Sequence, residues 1–203
     1  MGDHFRSRGA TITDEDLLAI LMAESGIRAD VPNRVNKVCL GLNQICPKLA
    51  ARRPDGTPLD LERVSGLRAV GFQGSLTDYS ALSETAQLPF VQKYFDNVNN
   101  YRAMRNVGSL YLANFSPAFL GKPEEFVMYR PEGITHDFLK SPSNPTGFFG
   151  SNFYNDNATV DKPRKGFIQV SDMAKFPIRS VSGDNAAKWN ELRMRLQRVA
   201  GVA

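Results

Sequence analysis

The chain has 203 residues, 42% of them hydrophobic, a net charge of +4 and a pI near 9.1. That suits a single domain with a core of its own, and the absence of internal repeats or low-complexity tracts excludes a solenoid or a disordered tail. No apolar run is long enough to cross a bilayer and the opening MGDHFRSRGATITDED is polar, so neither a membrane span nor a secretory leader is expected. The basic excess favours a polyanionic partner, a bacterial wall or a nucleic acid, and no nucleic-acid recognition motif is present.

The first predicted helix follows Thr13, a candidate N-cap with acids at Asp14, Glu15 and Asp16 in the first turn and Leu17, Ile20 and Leu21 spaced for one buried face. Gly26 is its expected stop. Glu24 falls seven residues after Leu17 and four after Ile20, which puts a carboxylate on the apolar stripe. Burial and the negative end of the helix dipole would both raise its pKa, and a carboxyl protonated near neutrality can act as a general acid. The same spacing also fits a helix-end glutamate that tilts to water or pairs with Arg28.

After a short spacer comes GLNQICP, a glycine-led loop carrying an amide. The two motifs together, Glu24-Ser25-Gly26 and then Gly41, Leu42, Gln44, Ile45 and Pro47, resemble the signature of the soluble lytic transglycosylase and goose-type lysozyme superfamily. Asn43 stands where that family usually has Met, and the spacer VPNRVNKVC lacks its run of small residues. The resemblance implies that Glu24 protonates the glycosidic oxygen of peptidoglycan, with Ser25, Gly41, Leu42, Asn43 and Gln44 lining the cleft. Cys39 and Cys46 flank the GLNQI run without metal-site spacing; they are expected as buried thiols, with a local disulfide as the alternative.

Beyond Pro47, Pro54-Asp55-Gly56 predicts a tight turn and Thr57-Pro58 a helix start, with Leu61, Val64, Leu67 or Arg68, and Val70 inward. GFQGSLTDYS is expected to be a loop. A third helix starts near Ser83 or Glu84 and carries Leu88, Val91, Phe95 and Val98, with Pro89 confined to its first turn or marking a later start. QLPFVQKYF also resembles a string in phage-encoded members of the lysozyme-like group; its aromatics Phe90, Tyr94 and Phe95 are expected in the core. A fourth helix has Met104, Val107, Leu110 and Tyr111 on its stripe and ends at Pro117 and Gly121. Against the family's A-Y-N-A-G run, whose Tyr and Asn face the sugar, LYLANFSP offers Tyr111 and Asn114, with Phe115 as the aromatic neighbour in a shifted register.

From Gly121 the composition turns to Pro, Gly, Phe and Ser, predicting irregular chain over the helical body. It holds His136, which has no nucleophile motif beside it; His4 falls in the polar N-terminal stretch. Asp161 to Asp172 has the skeleton of a calcium loop, but Pro163 and Lys165 occupy ligand positions, so no metal is expected, nor any cofactor. A terminal helix capped by Asp184 or Asn185 would turn Trp189, Leu192, Leu196 and Val199 inward and Arg193, Arg195 and Arg198 mostly outward.

The expected architecture is a mainly α, lysozyme-like single domain over 1–203: a catalytic helical core at 11–120, a loop-rich extension at 121–183 and a C-terminal helix at 184–203. The function the resemblance implies is cleavage of the β-1,4 bond between N-acetylmuramic acid and N-acetylglucosamine by a bacteriophage tail lysin or an endolysin. Such a protein is made in the bacterial cytoplasm and acts at the cell wall on peptidoglycan strands, with other virion proteins as further partners. Glu24 would act as acid and then as base. Asp30, Asp55, Asp60 and Asp78 are the nearest candidates in sequence for a second carboxylate, which would decide between hydrolase and transglycosylase. The other class of function is a virion structural or wall-binding protein that keeps the scaffold without turnover.

Overall fold

A computed structural model describes residues 1–30, 32, 39–45, 65–142, 144–161, 164–183 and 186–199. The architecture is mainly α. Among the described residues the first helix, α1 (Gly2–Ser7), lies in the stretch expected to be a polar tail. The reason is a single side chain: Phe5 is wholly buried against Phe95 and Tyr101, and the helix is tied down by His4 Nε2 on Asp96 Oδ1 at 2.8 Å.

Helix α2 (Asp14–Ser25) starts as its sequence dictates. The Asp16 amide donates to Thr13 Oγ1 at 3.1 Å and the Thr13 amide to Asp16 Oδ2 at 2.8 Å, a reciprocal box that satisfies two otherwise orphan donors. It ends at Gly26, whose φ is +64°, where the Gly26 amide returns to the Met22 carbonyl. Leu17, Ala19, Ile20, Leu21, Met22 and Ser25 are all buried, so the helix is covered on more than the one face that spacing predicts.

The predicted helix from Thr57 is seen only as α3 (Ser65–Ala69), with Leu67 and Val70 buried and Arg68 exposed; its start and the Pro54-Asp55-Gly56 turn lie outside the described residues. GFQGSLTDYS, expected to be a loop, contains α4 (Leu76–Ser80). Ser75 caps it, its side chain accepting from the Asp78 amide, and the Asp78 carboxylate accepts from the Ser75 amide at 2.8 Å. Helix α5 (Glu84–Val98) is capped by Ser83 and continues past Pro89, which therefore sits beyond the first turn. Pro89 is on the exposed side, where water can reach the carbonyl that loses its partner.

Helix α6 (Val107–Phe115), capped by Asn106, is the centre of the body. Leu110, Tyr111, Leu112, Ala113 and Asn114 are buried in sequence, since α2, α5 and two later helices pack around it. Gly108 permits a close approach to one of them: a Cβ there would stand 2.7 Å from that of Ala174.

The 121–183 segment carries more regular structure than its composition predicts. Strand β1 (Val127–Tyr129), then β2 (Ile134–Thr135) and β3 (Phe148–Phe149), α7 (Ser151–Asn155), β4 (Ile168–Gln169), α8 (Val170–Ala174) and α9 (Phe176–Ser180) follow in order. β1 pairs antiparallel with β4, Val127 opposite Gln169, and β2 with β3, Ile134 opposite Phe149. Its aromatic residues supply what polar turns conceal: Phe119, Phe126, Tyr129, His136 and Phe149 form edge-to-face and tilted contacts in one cluster. His136 is buried there, its Nε2–H donating to the Met128 carbonyl at 3.0 Å.

In the calcium-like stretch a lysine holds the acids. Lys165 Nζ lies 2.7 Å from Asp172 Oδ2 and 2.9 Å from Gln169 Oε1, while Asp161 accepts from the amides of Lys165 and Gly166 and from the Tyr154 hydroxyl.

Helix α10 (Ala186–Val199) closes the fold against α2. Trp189 and Leu192 are partly buried, and so is Arg193, whose Nε is covered instead of facing solvent. The expected caps Asp184 and Asn185 lie outside the described residues, and no helix among those residues is long and apolar enough to cross a membrane.

Candidate functional site

Glu24 occupies the last turn of α2, a helix against which α6, α9 and α10 pack. It is half-buried, and Asn114 Nδ2 donates to its Oε1 at 2.9 Å. Desolvation raises its pKa to about 7, against an opposing hydrogen bond from Asn114 that favours the ionised form. The carboxyl is held by Asn114 rather than paired with Arg28, whose guanidinium instead holds Asp30, with Nη2 3.1 Å from Oδ2.

The GLNQI run forms a tight turn beside it. Leu40 and Ile45 exchange both backbone hydrogen bonds, at 3.2 and 2.9 Å, and residues 41–44 close the end. Two backbone positions make this possible. Gly41 has φ +84° and lies so close to Gln87 and the Tyr79 ring that a Cβ would be 2.6 Å from each, so only glycine fits. Gln44 has φ +52°, an uncommon conformation for a residue with a side chain, and its Nε2 donates back to the Gly41 carbonyl at 3.0 Å.

Ser25 ties the two motifs together. Its buried hydroxyl reaches the Leu21 carbonyl of its own helix and the Leu42 carbonyl of the turn, both at 3.1 Å. Asn43 and Asn114 complete the link: Asn43 Nδ2 donates to Asn114 Oδ1, and Asn114 Nδ2 to the Asn43 carbonyl, each at 3.3 Å. Of the residues named from sequence, Glu24, Ser25, Leu42, Asn43 and Asn114 are thus joined in one hydrogen-bonded assembly with Gly41 and Gln44 in the same turn. Leu42 and Asn43 are only 1% and 2% exposed, so both point into the protein.

Tyr111 is buried and stacked on Phe115 and Phe176, with ring centroids 5.9 and 5.3 Å away and interplanar angles of 10° and 29°. Burial first, and the Glu24 charge second, push its phenol well above the ordinary range. Among the described residues the thiol expectation for Cys39 is corrected: it is disulfide-bonded, and the chain's other cysteine, Cys46, lies outside those residues.

Two residues escaped the sequence reading. Tyr94, expected in the core rather than as a sugar platform, sends its hydroxyl to the Asn114 carbonyl at 2.5 Å, and its pKa is pushed up to about 12 by burial and by Glu24. Gln87 is completely buried; its Oε1 accepts from the Leu42 amide at 3.0 Å and its Nε2 donates to the carbonyls of Ala29 and Tyr79. The signal was available: Gln87, Val91, Tyr94 and Val98 share one stripe of α5, the argument that singled out Glu24 on α2.

Of the candidates for a second carboxylate, Asp30 is paired with Arg28 and Asp78 accepts from the Ser75 amide and hydroxyl at the start of α4, which lowers the pKa of both. Asp55 and Asp60 lie outside the described residues. The arrangement can therefore supply one carboxyl that exchanges a proton near neutral pH, presented among amides and phenols. No protein-family model matches the chain, and no significant match was found among curated proteins or solved structures.

Proposed function

We propose that the chain is a muralytic enzyme of the lytic transglycosylase or goose-type lysozyme kind, cleaving the β-1,4 bond after N-acetylmuramic acid in peptidoglycan. The observation that carries this reading is the Glu24 carboxyl, half-buried at a helix end and titrating at about 7, bonded to the amide of Asn114 beside the 41–44 turn. At neutral pH such a group is divided between its acid and its base form, the condition for using both in one cycle.

In the first step the Glu24 proton passes to the glycosidic oxygen as the bond from the anomeric carbon to that oxygen breaks, leaving positive charge on the sugar. In the second the Glu24 carboxylate takes a proton back. If the donor is the C6 hydroxyl of the muramic residue, its oxygen closes on the anomeric carbon as a 1,6-anhydro ring; if it is water, the product is a reducing end. Of the candidates among the described residues, Asp30 and Asp78 are both engaged elsewhere, which supports ring closure over a step in which either stabilises the cation or directs water. The resemblance of QLPFVQKYF to a phage-encoded string supports a tail lysin or an endolysin as the setting.

One observation favours the other reading, a virion structural or wall-binding protein without turnover: Leu42, Asn43 and Gln44 are buried, at 1%, 2% and 8% exposure. The discriminating experiment is clearing of purified peptidoglycan by the wild type and Glu24→Gln. Clearing by the wild type alone supports the enzyme, and mass spectrometry then separates anhydro from reducing products. Equal clearing by both proteins removes Glu24 from the mechanism, and none by either supports the structural role.

A further inference from the structure

Asn114 meets Glu24 through one end of a carboxamide that could face either way, and the two ends have opposite chemistry. Nδ2 can only donate and Oδ1 can only accept. A donor suits an ionised carboxylate; an acceptor suits only a protonated one, whose proton it would hold pointing inward. Something must select the end, and the surroundings of Asn114 identify it.

Both protons of Nδ2 are engaged, one on Glu24 Oε1 at 2.9 Å and one on the Asn43 carbonyl at 3.3 Å. Oδ1 receives Asn43 Nδ2 at 3.3 Å. Asn43 therefore grips the Asn114 carboxamide from both sides, by its main-chain oxygen and by its side-chain nitrogen. Turning Asn114 over would set Oδ1 against the Asn43 carbonyl and Nδ2 against Nδ2, two repulsive contacts at a position where Asn43 is 2% and Asn114 8% exposed. The tight turn holds the Asn43 backbone and Tyr94 the Asn114 backbone; Asn43 Oδ1 is buried without a hydrogen-bond partner among the described residues, so the rigid half of the grip is the Asn43 main-chain oxygen.

We propose that Asn43 is a positioning residue that keeps the N–H of Asn114, and never its oxygen, turned toward Glu24. With that face fixed, a protonated Glu24 has no acceptor on Asn114, and its O–H is left to point outward to an incoming oxygen. This is a role for the residue that departs from the Met usual in the resembled family. Its consequence for catalysis rests on the enzymatic reading above; the orientation itself does not.

The other titratable groups around Glu24 leave this relay the controlling contact. Tyr111 on α6 and Tyr94 on α5 are phenols with raised pKa, neutral across the working range. Lys188 on α10 donates to the Gly26 carbonyl at 2.8 Å, Arg179 on α9 reaches the Val160 carbonyl, and Arg28 is paired with Asp30.

The test is an NMR titration of protein carrying ¹³C-labelled glutamate side chains and ¹⁵N-labelled asparagine, in the wild type and in Asn43→Leu, which keeps the volume and removes the donor. Expected is a Glu24 midpoint raised by about half a pH unit or more in the variant, because losing the side-chain half of the grip, with only the main-chain oxygen left, lets Asn114 turn in part and accept the proton. An unmoved midpoint in a folded variant overturns the proposal. If Asn43→Leu does not fold, the wild type still decides: the Asn114 side-chain protons must keep their contacts to Glu24 on both sides of its titration, and loss of those contacts on protonation overturns it. Clearing assays on the same samples separate the two ideas. A shifted midpoint in a protein that never clears wall keeps the relay and sinks the enzyme; clearing with an unshifted midpoint does the reverse.

Discussion

Replacing Glu24 by Gln should stabilise the protein by an amount that grows with pH. The folded-state pKa is raised from the ordinary 4.5 to about 7, so the native state binds this proton more tightly than the unfolded chain. That favourable contribution is fully present below 4.5 and is lost as pH rises through 7, each pH unit between the two removing about 1.4 kcal/mol. The whole interval corresponds to about 3 kcal/mol, and solvent reaching the half-buried carboxyl reduces this to roughly 2 kcal/mol or somewhat more. Glutamine keeps a carbonyl that accepts from Asn114 and has nothing to ionise. The two proteins should therefore differ little in their pH trend below pH 4, and the variant should pull ahead from pH 5 to 8. At this chain length the gain corresponds to roughly 4–10 °C in melting temperature. Calorimetry of both proteins at intervals from pH 4 to 8 measures it. A melting difference that does not change with pH would mean that Glu24 titrates like a solvated glutamate, and the argument for a neutral-pH acid would fail with it.

Three further outcomes follow from the packing around the site. Gly41→Ala adds a methyl 2.6 Å from Gln87 and Tyr79 at a left-handed φ, and should destabilise by about 3 kcal/mol in urea unfolding. A loss below about 1 kcal/mol would mean that the turn is not held against α5. Gln87→Leu takes the hydrogen bonds from the buried Leu42 amide and the Ala29 carbonyl and should cost roughly 2–4 kcal/mol, with clearing activity falling as the 41–44 turn loosens. Unchanged stability would show that the amide does not anchor that turn. Phe5→Ala should cost about 3–5 kcal/mol, since the ring is wholly buried, whereas a solvated tail would leave the melting temperature unmoved.

Local chemistry determined a good part of this protein before any tertiary contact is considered. The Thr13 cap, the acids after it and the Gly26 stop define α2 from its own sequence; Ser83 opens α5, and the 3.6-residue period of Leu17, Ile20 and Leu21 brings Glu24 inward. Glycine at 41 likewise announces a turn, because the backbone rule acts within a few residues. Long-range packing decided the rest. Phe5 converts a polar stretch into a docked helix only because α5 offers a pocket for it, and the aromatic cluster around Phe119 organises strands from segments whose composition reads as loop. Pro89 is tolerated because its side of α5 faces water. At the site, sequence could name Glu24, Asn43 and Asn114 singly, but a carboxamide's facing depends on partners 71 and 90 residues away. Whether Glu24 meets a donor or an acceptor is therefore a property of the folded chain, since period and composition carry no information about which end of an amide will be turned toward it.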